Sequence, residues 1–257
     1  MKNITRFKTT EEIFQQASEL ADLPILIASH PTLQMQGVVI HPTEADPNYH
    51  IYYYSGLDEE EANTALTHEL CHIIRTVRVP KDKRQRVRGI PIPEYYKAYD
   101  DIGTSMFSYP DDLEIERFIA TCPDLQLGQK KIWKPVIAFM REEIEEDFRK
   151  LPERLFLAKH ALDYSLLRRV GELIGEKTTR HFYGYRNVMQ EGKALLEISD
   201  GVRRNDVAGD REVTGLWIER LGMGDIYSLV PENETEPDNE LAFLMATNPN
   251  VMVVNSE

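Results

Sequence analysis

Two histidines four residues apart, with a glutamate directly after the first, constrain this chain more than any other feature: His68-Glu69-Leu70-Cys71-His72. On a helix, positions i and i+4 project from one face, so both imidazoles can reach one ion while Glu69 stands beside them. The flanks predict that helix. Asp58 is suited to an N-cap, Glu61 three residues on completes a capping box, and the acids from 58 to 61 favour the positive end of the helix dipole. Ala62, Ala65, Leu66, Leu70, Ile73 and Ile74 then recur at helical spacing to about Thr76. His68, Glu69 and His72 fall on the flank of that apolar stripe, which places them in a cleft beside a core.

The H-E-x-x-H spacing points to Zn²⁺. A catalytic zinc has three protein ligands and one open position, so a third ligand is needed. Residues 73–77 hold no histidine and no acid, so it must come from further along the chain. The best source is Tyr109-Pro110-Asp111-Asp112-Leu113-Glu114-Ile115-Glu116-Arg117-Phe118-Ile119-Ala120. Pro110 suits a helix start, and Ile115, Phe118, Ile119 and Cys122 form an apolar stripe. Asp112 and Glu116 border that stripe on one side and Glu114 on the other. Glu116 is expected as the ligand, Asp112 as the carboxylate that orients a histidine or as an alternative ligand, and Glu114 as a further alternative. The plainer reading makes all three solvated helix charges.

Upstream, residues 37–40 and 50–54 read as strands around a polar turn at 42–48, with a third strand at 23–27 and a helix at 11–21. Pro24 demands that the third strand start there or lie on a sheet edge. Helix, strands and an H-E-x-x-H helix in this order resemble the zincin metallopeptidases. Over roughly residues 35–125 the chain resembles the ImmA/IrrE-like group. That resemblance implies a gluzincin-type site, with His68, His72 and a downstream glutamate on zinc and Glu69 as general base. It also implies an edge strand that holds an extended peptide substrate. The fold class expected is α+β, a zincin-like core of small mixed or antiparallel sheet and metal helix followed by a mainly helical half. The activity expected is that of a zinc-dependent metalloendopeptidase of narrow specificity. The oxyanion of such a reaction needs a second stabiliser, for which Tyr95, Tyr96 and Tyr99 are candidates by position and His160 and His181 weaker ones.

Composition limits the alternatives. A net charge of −13 argues against a general nucleic-acid binder, although residues 75–88 form a basic stretch that could gate the cleft or contact an acidic partner or nucleic acid. No apolar run spans a bilayer and residues 1–8 hold no signal-like core, so a cytoplasmic protein without membrane association is expected. Cys71 and Cys122 read as reduced thiols, with a disulfide or a sulfur-based switch as the alternative. The organisation expected is a metallopeptidase domain over 1–124, a helical region over 125–230 packed on it, and an acidic linker and tail over 231–257. Residues 180–186 mix aromatic and basic side chains, for ligand binding or for packing at a helix junction. The rival to the enzyme reading is a regulatory or interaction protein that keeps the fold with little or no proteolysis.

Overall fold

The computed structural model describes residues 5–33, 35–90, 95–202 and 206–232. The order of elements is α1 (Lys8–Ala21), β1 (Ile25–His30), β2 (Gly37–Ile40), β3 (Tyr49–Tyr54), α2 (Glu59–Val77), β4 (Gln85–Gly89), α3 (Tyr96–Ala120), α4 (Gln126–Lys150), α5 (Glu153–Ile174), α6 (Arg186–Gly201), α7 (Val207–Arg220) and β5 (Tyr227–Pro231). The chain is α+β, with small sheets and, among the described residues, seven α-helices.

The first sheet is mixed, in the order β1-β3-β2, with β1 parallel and β2 antiparallel to β3. Pro24 lies just before β1, an edge strand, and its carbonyl accepts the Tyr49 N–H at 2.9 Å. A residue without an N–H is tolerated there because no ladder bond is lost. One face of β3, Tyr49 and Ile51, packs on α1 (Ala17, Ala21) and α2 (Leu66, Leu70, Ile73, Ile74). Burying Leu70 and Ile73 completely contributes about 1.5–3 kcal/mol each.

The capping box of α2 forms as its sequence requires. Glu61 N donates to Asp58 Oδ1 at 3.0 Å, and Asp58 N donates to Glu61 Oε2 at 2.9 Å. The helix predicted to begin at Pro110 instead begins at Tyr96 and runs 25 residues with Pro110 inside it. Its first half buries Ala98, Ile102 and Met106 in a core shared with α5 and α7, and that packing holds together a helix the proline would otherwise interrupt.

The basic stretch at 75–88 is structured too. Arg75 closes α2, Arg84 Nε donates to the Val79 carbonyl at 3.0 Å, and β4 pairs antiparallel with β5. Strand β5 comes from the far end of the described chain, so no local pattern announces this ladder. Around 180–186, Phe182 is fully buried with its ring edge-on to Tyr164 at 4.9 Å, while Tyr185 packs against Phe148 and Phe156. The acidic tail lies outside the described residues from 233 on.

Candidate metal centre

Helices α2 and α3 bring three donor atoms into a near-equilateral triangle. His68 Nε2 and His72 Nε2 are 3.1 Å apart, and Asp112 Oδ1 is 3.3 Å from each. A tetrahedral zinc with bonds of about 2.0–2.1 Å separates its ligands by about 3.3–3.4 Å. The triangle therefore fits such an ion with almost no adjustment, and these three residues are a group that can hold a metal. Two imidazoles and one carboxylate are a donor set that zinc accepts.

Each imidazole is held from behind at its other nitrogen. His68 Nδ1 lies 3.0 Å from Glu116 Oε1, and Glu116 Oε2 accepts from Gln129 Nε2 at 2.7 Å. His72 Nδ1 lies 2.5 Å from Asp111 Oδ2, and Arg75 Nε donates to the other oxygen of Asp111. A carboxylate on Nδ1 fixes the ring orientation and leaves the Nε2 lone pair for a metal. Burial disfavours the charged form of His72, but Asp111 and Asp112 outweigh it and raise its pKa to about 10. Burial likewise opposes charge on His68, and its bonds to Asp112 and Glu116 carry its pKa well above the ordinary value. Burial would push Asp112 up, but the two imidazoles pull it below the usual carboxylate range. An incoming metal must therefore displace protons from the histidines.

Glu69 points toward β2. Burial is the main cause raising its pKa, and the Val39 backbone N–H is among its hydrogen-bond partners. A Cβ at Gly37 would stand 3.0 Å from both Cγ and Oε1 of Glu69, so the missing side chain makes room for that carboxylate. The register explains why β2 can serve it. Tyr54 N donates to the Gln36 carbonyl at 3.0 Å, and the pairing runs on through Val38↔Tyr52 and Ile40↔His50. Hydrogen-bonded pairs alternate in an antiparallel ladder, so Gly37 and Val39 turn their N–H and C=O groups to the free edge. Glu69 thus sits beside an edge of β2 that no other described strand pairs.

Several expectations need correction. Glu116, expected in the metal group, backs His68 instead, and Asp112 takes the place beside the Nε2 atoms. The two acids lie one turn apart on the same face, and the axial offset of α3 against α2 decides which of them reaches the triangle. Glu114 is ion-paired with Arg117 at 2.6 Å and faces a groove with Cys71 and Phe118. Tyr95, Tyr96 and Tyr99 fall at the start of α3, and Tyr99, the nearest to Asp112 in sequence, is 13 residues or about 20 Å of helix away. That length of helix separates them from the donor triangle. His160 is fully buried between Asp147 (3.1 Å) and Asp163 (3.2 Å), and His181 is engaged by Arg180 at 3.1 Å. Both cysteines are free thiols, and burial pushes each thiol pKa up.

Three residues of the site were not read from the sequence. Asp111 looks like any acid in an acidic run, and Gln129 reaches Glu116 from another helix. His41 follows β2; burial, then the charges of His72 and Arg84, lower its pKa to about 4, so it is a neutral imidazole near the centre. Only its place at a strand end could have drawn attention to it.

No protein-family model matches the chain, and no curated protein and no solved structure matches it. Among the described residues no helix is long and apolar enough to cross a membrane.

Proposed function

We propose that this chain is a zinc-dependent metalloendopeptidase of zincin type, with His68, His72 and Asp112 as ligands and Glu69 as general base. The observation that carries the reading is the donor triangle, with Glu69 on the same helix lying against the free edge of β2. When bound, zinc would polarise a scissile carbonyl and lower the pKa of a water to about 7.

The protein's own groups do the rest. Glu69 takes a proton from the attacking water as its oxygen bonds to the carbonyl carbon, then passes it to the amine nitrogen as the C–N bond breaks. Its raised pKa brings proton acceptance and donation closer in energy. The outward N–H and C=O groups of Gly37 and the C=O of Val39 suit an extended peptide added as a further strand, which would lie alongside Glu69. A peptide substrate accounts for this edge better than a small molecule does, because its backbone satisfies the same groups in the same alternation.

The test is zinc per chain by elemental analysis together with peptide hydrolysis, on the wild type and on Glu69→Gln. The expected result is near one zinc in both and hydrolysis in the wild type alone. Zinc binding without hydrolysis of any peptide in a broad library would favour the regulatory protein instead. No zinc in the wild type, even when zinc is supplied, would end the enzyme reading.

A further inference from the structure

Helix α7 reaches the metal centre through two separate sets of contacts. The first is a chain of charges. Arg75, whose Nε holds Asp111 behind His72, also donates from Nη2 to Asp210 Oδ2 at 2.5 Å. Asp210 lies in the first turn of α7 and is fully buried. The path from His72 through Asp111 and Arg75 to Asp210 thus joins a candidate ligand to a helix more than 130 residues further on.

The second set concerns Pro110. Proline has no N–H, so the Met106 carbonyl four residues earlier loses its helical partner just before Asp111 and Asp112. The Thr214 hydroxyl faces that carbonyl at 2.9 Å, sharing its proton with the Asp210 carbonyl at 3.0 Å. One residue along, Arg211 Nη1 donates to the Phe107 carbonyl at 2.6 Å, with its guanidinium carbon 3.7 Å from the Phe107 ring centroid. Arg211 and Thr214 are themselves buried. Helix α7 therefore supports α3 at the point where its own hydrogen bonding fails, about one and a half turns ahead of the metal-facing carboxylate.

Stability alone is a weak reason for such an arrangement. A buried chain of alternating charges contributes little over apolar packing, because desolvation offsets most of its attraction. Its effect is geometric, since each link leaves the next one orientation. We infer that α7 is a positioning element of the metal centre, in which Asp210 orients Asp111 and hence His72 through Arg75, while Thr214 and Arg211 set the turn of α3 that carries Asp112. The inference rests on the metal-site reading, and it makes the helical half a working part of that site.

The experiment uses the full chain and the variants Asp210→Asn, Thr214→Val and Thr214→Ser. Zinc affinity is measured by competition with a chromophoric chelator, and the His68 and His72 ring nitrogens are followed by ¹⁵N NMR in the metal-free protein. Asp210→Asn is expected to weaken zinc about 10- to 100-fold, the usual effect of losing a group that orients a ligand, and to shift the His72 resonances while sparing those of His68. A variant that melts earlier but keeps wild-type zinc affinity and an unmoved His72 spectrum would overturn the inference. Should Asp210→Asn fail to fold, the threonine pair decides. Valine keeps the shape and loses the donor, so it should weaken zinc several-fold while serine does not. Equal affinity in valine, serine and wild type would refute the role of α7. If the wild type takes no zinc, the metal-site reading fails by itself, and the His72 spectrum of Asp210→Asn still reports whether α7 orients that ring.

Discussion

Glu116 meets His68 at Nδ1, 3.0 Å away, on the side of the ring turned from the donor triangle. A carboxylate there acts on the ligand, whereas Asp112 Oδ1, 3.3 Å from both Nε2 atoms, is placed to act on the ion. The two acids should therefore differ in degree. Asp112→Ala should leave the protein near zinc-free, while Glu116→Gln should keep its zinc with about 10- to 100-fold lower affinity. Chelator competition on both variants checks this, and the reverse order would return Glu116 to the ligand set.

The proton held by His72 predicts a pH dependence for the metal-free protein. Its pKa is raised to about 10 in the fold, against about 6.5 when unfolded. The native state therefore binds more protons between those values, and the stability it contributes is complete below about pH 6.5 and lost as pH rises toward 10. Zinc needs the same nitrogen deprotonated, so its affinity should rise across that window. Urea unfolding of the metal-free protein at pH 6, 8 and 9.5, paired with zinc titrations, measures both slopes. Metal-free stability that rises over this range would contradict the Asp111–His72 pairing.

Gly37 leaves space for Glu69. A methyl group there would stand 3.0 Å from Cγ and Oε1, so the carboxylate must move by a few tenths of an ångström. Gly37→Ala should lower kcat about tenfold with zinc content unchanged, because small misplacements of a reacting group are costly. Steady-state kinetics with zinc analysis separates this from metal loss; an unchanged kcat would mean that the base tolerates the shift.

Gly128 does for α4 what Gly37 does for β2. A Cβ there would lie 2.1 Å from the Glu60 carbonyl oxygen and 2.2 Å from Thr64 Oγ1, so the backbones of α4 and α2 must separate. Gly128→Ala should destabilise the protein by about 1–3 kcal/mol, as overpacking does. It should also loosen the neighbouring Gln129–Glu116 bond, which is read as weaker zinc binding in the folded variant. Denaturant midpoints together with zinc affinity test both parts.

Much of α2 is legible in the sequence alone. Its capping box, its apolar stripe and the common face of His68, Glu69 and His72 all follow from spacing within one helix. The strands of the mixed sheet follow from local pattern in the same way. The start of α3 did not follow, because Pro110 is an ordinary helix-start signal, and only the burial of Ile102 and Met106 against other helices keeps the helix continuous through it. The partners of β4 and Arg75 were equally hidden, since β5 and Asp210 lie more than 130 residues away in the chain.

By itself, then, the sequence determined that two imidazoles and a carboxylate would share a helical face beside a core. Helix geometry is local, with one repeat for every residue, and the spacing of three side chains is enough to place them. The tertiary structure decided that Asp112 completes the triangle, that Glu116 and Asp111 stand behind the two rings, and that α7 holds α3 beside them. Those choices depend on how far one helix slides along another. That offset is set by close packing, such as Gly128 against Glu60 and Leu125 among Cys71, Ile115 and Ile119. A shift of one turn, about 5.4 Å, would exchange the two acids without altering a single local signal.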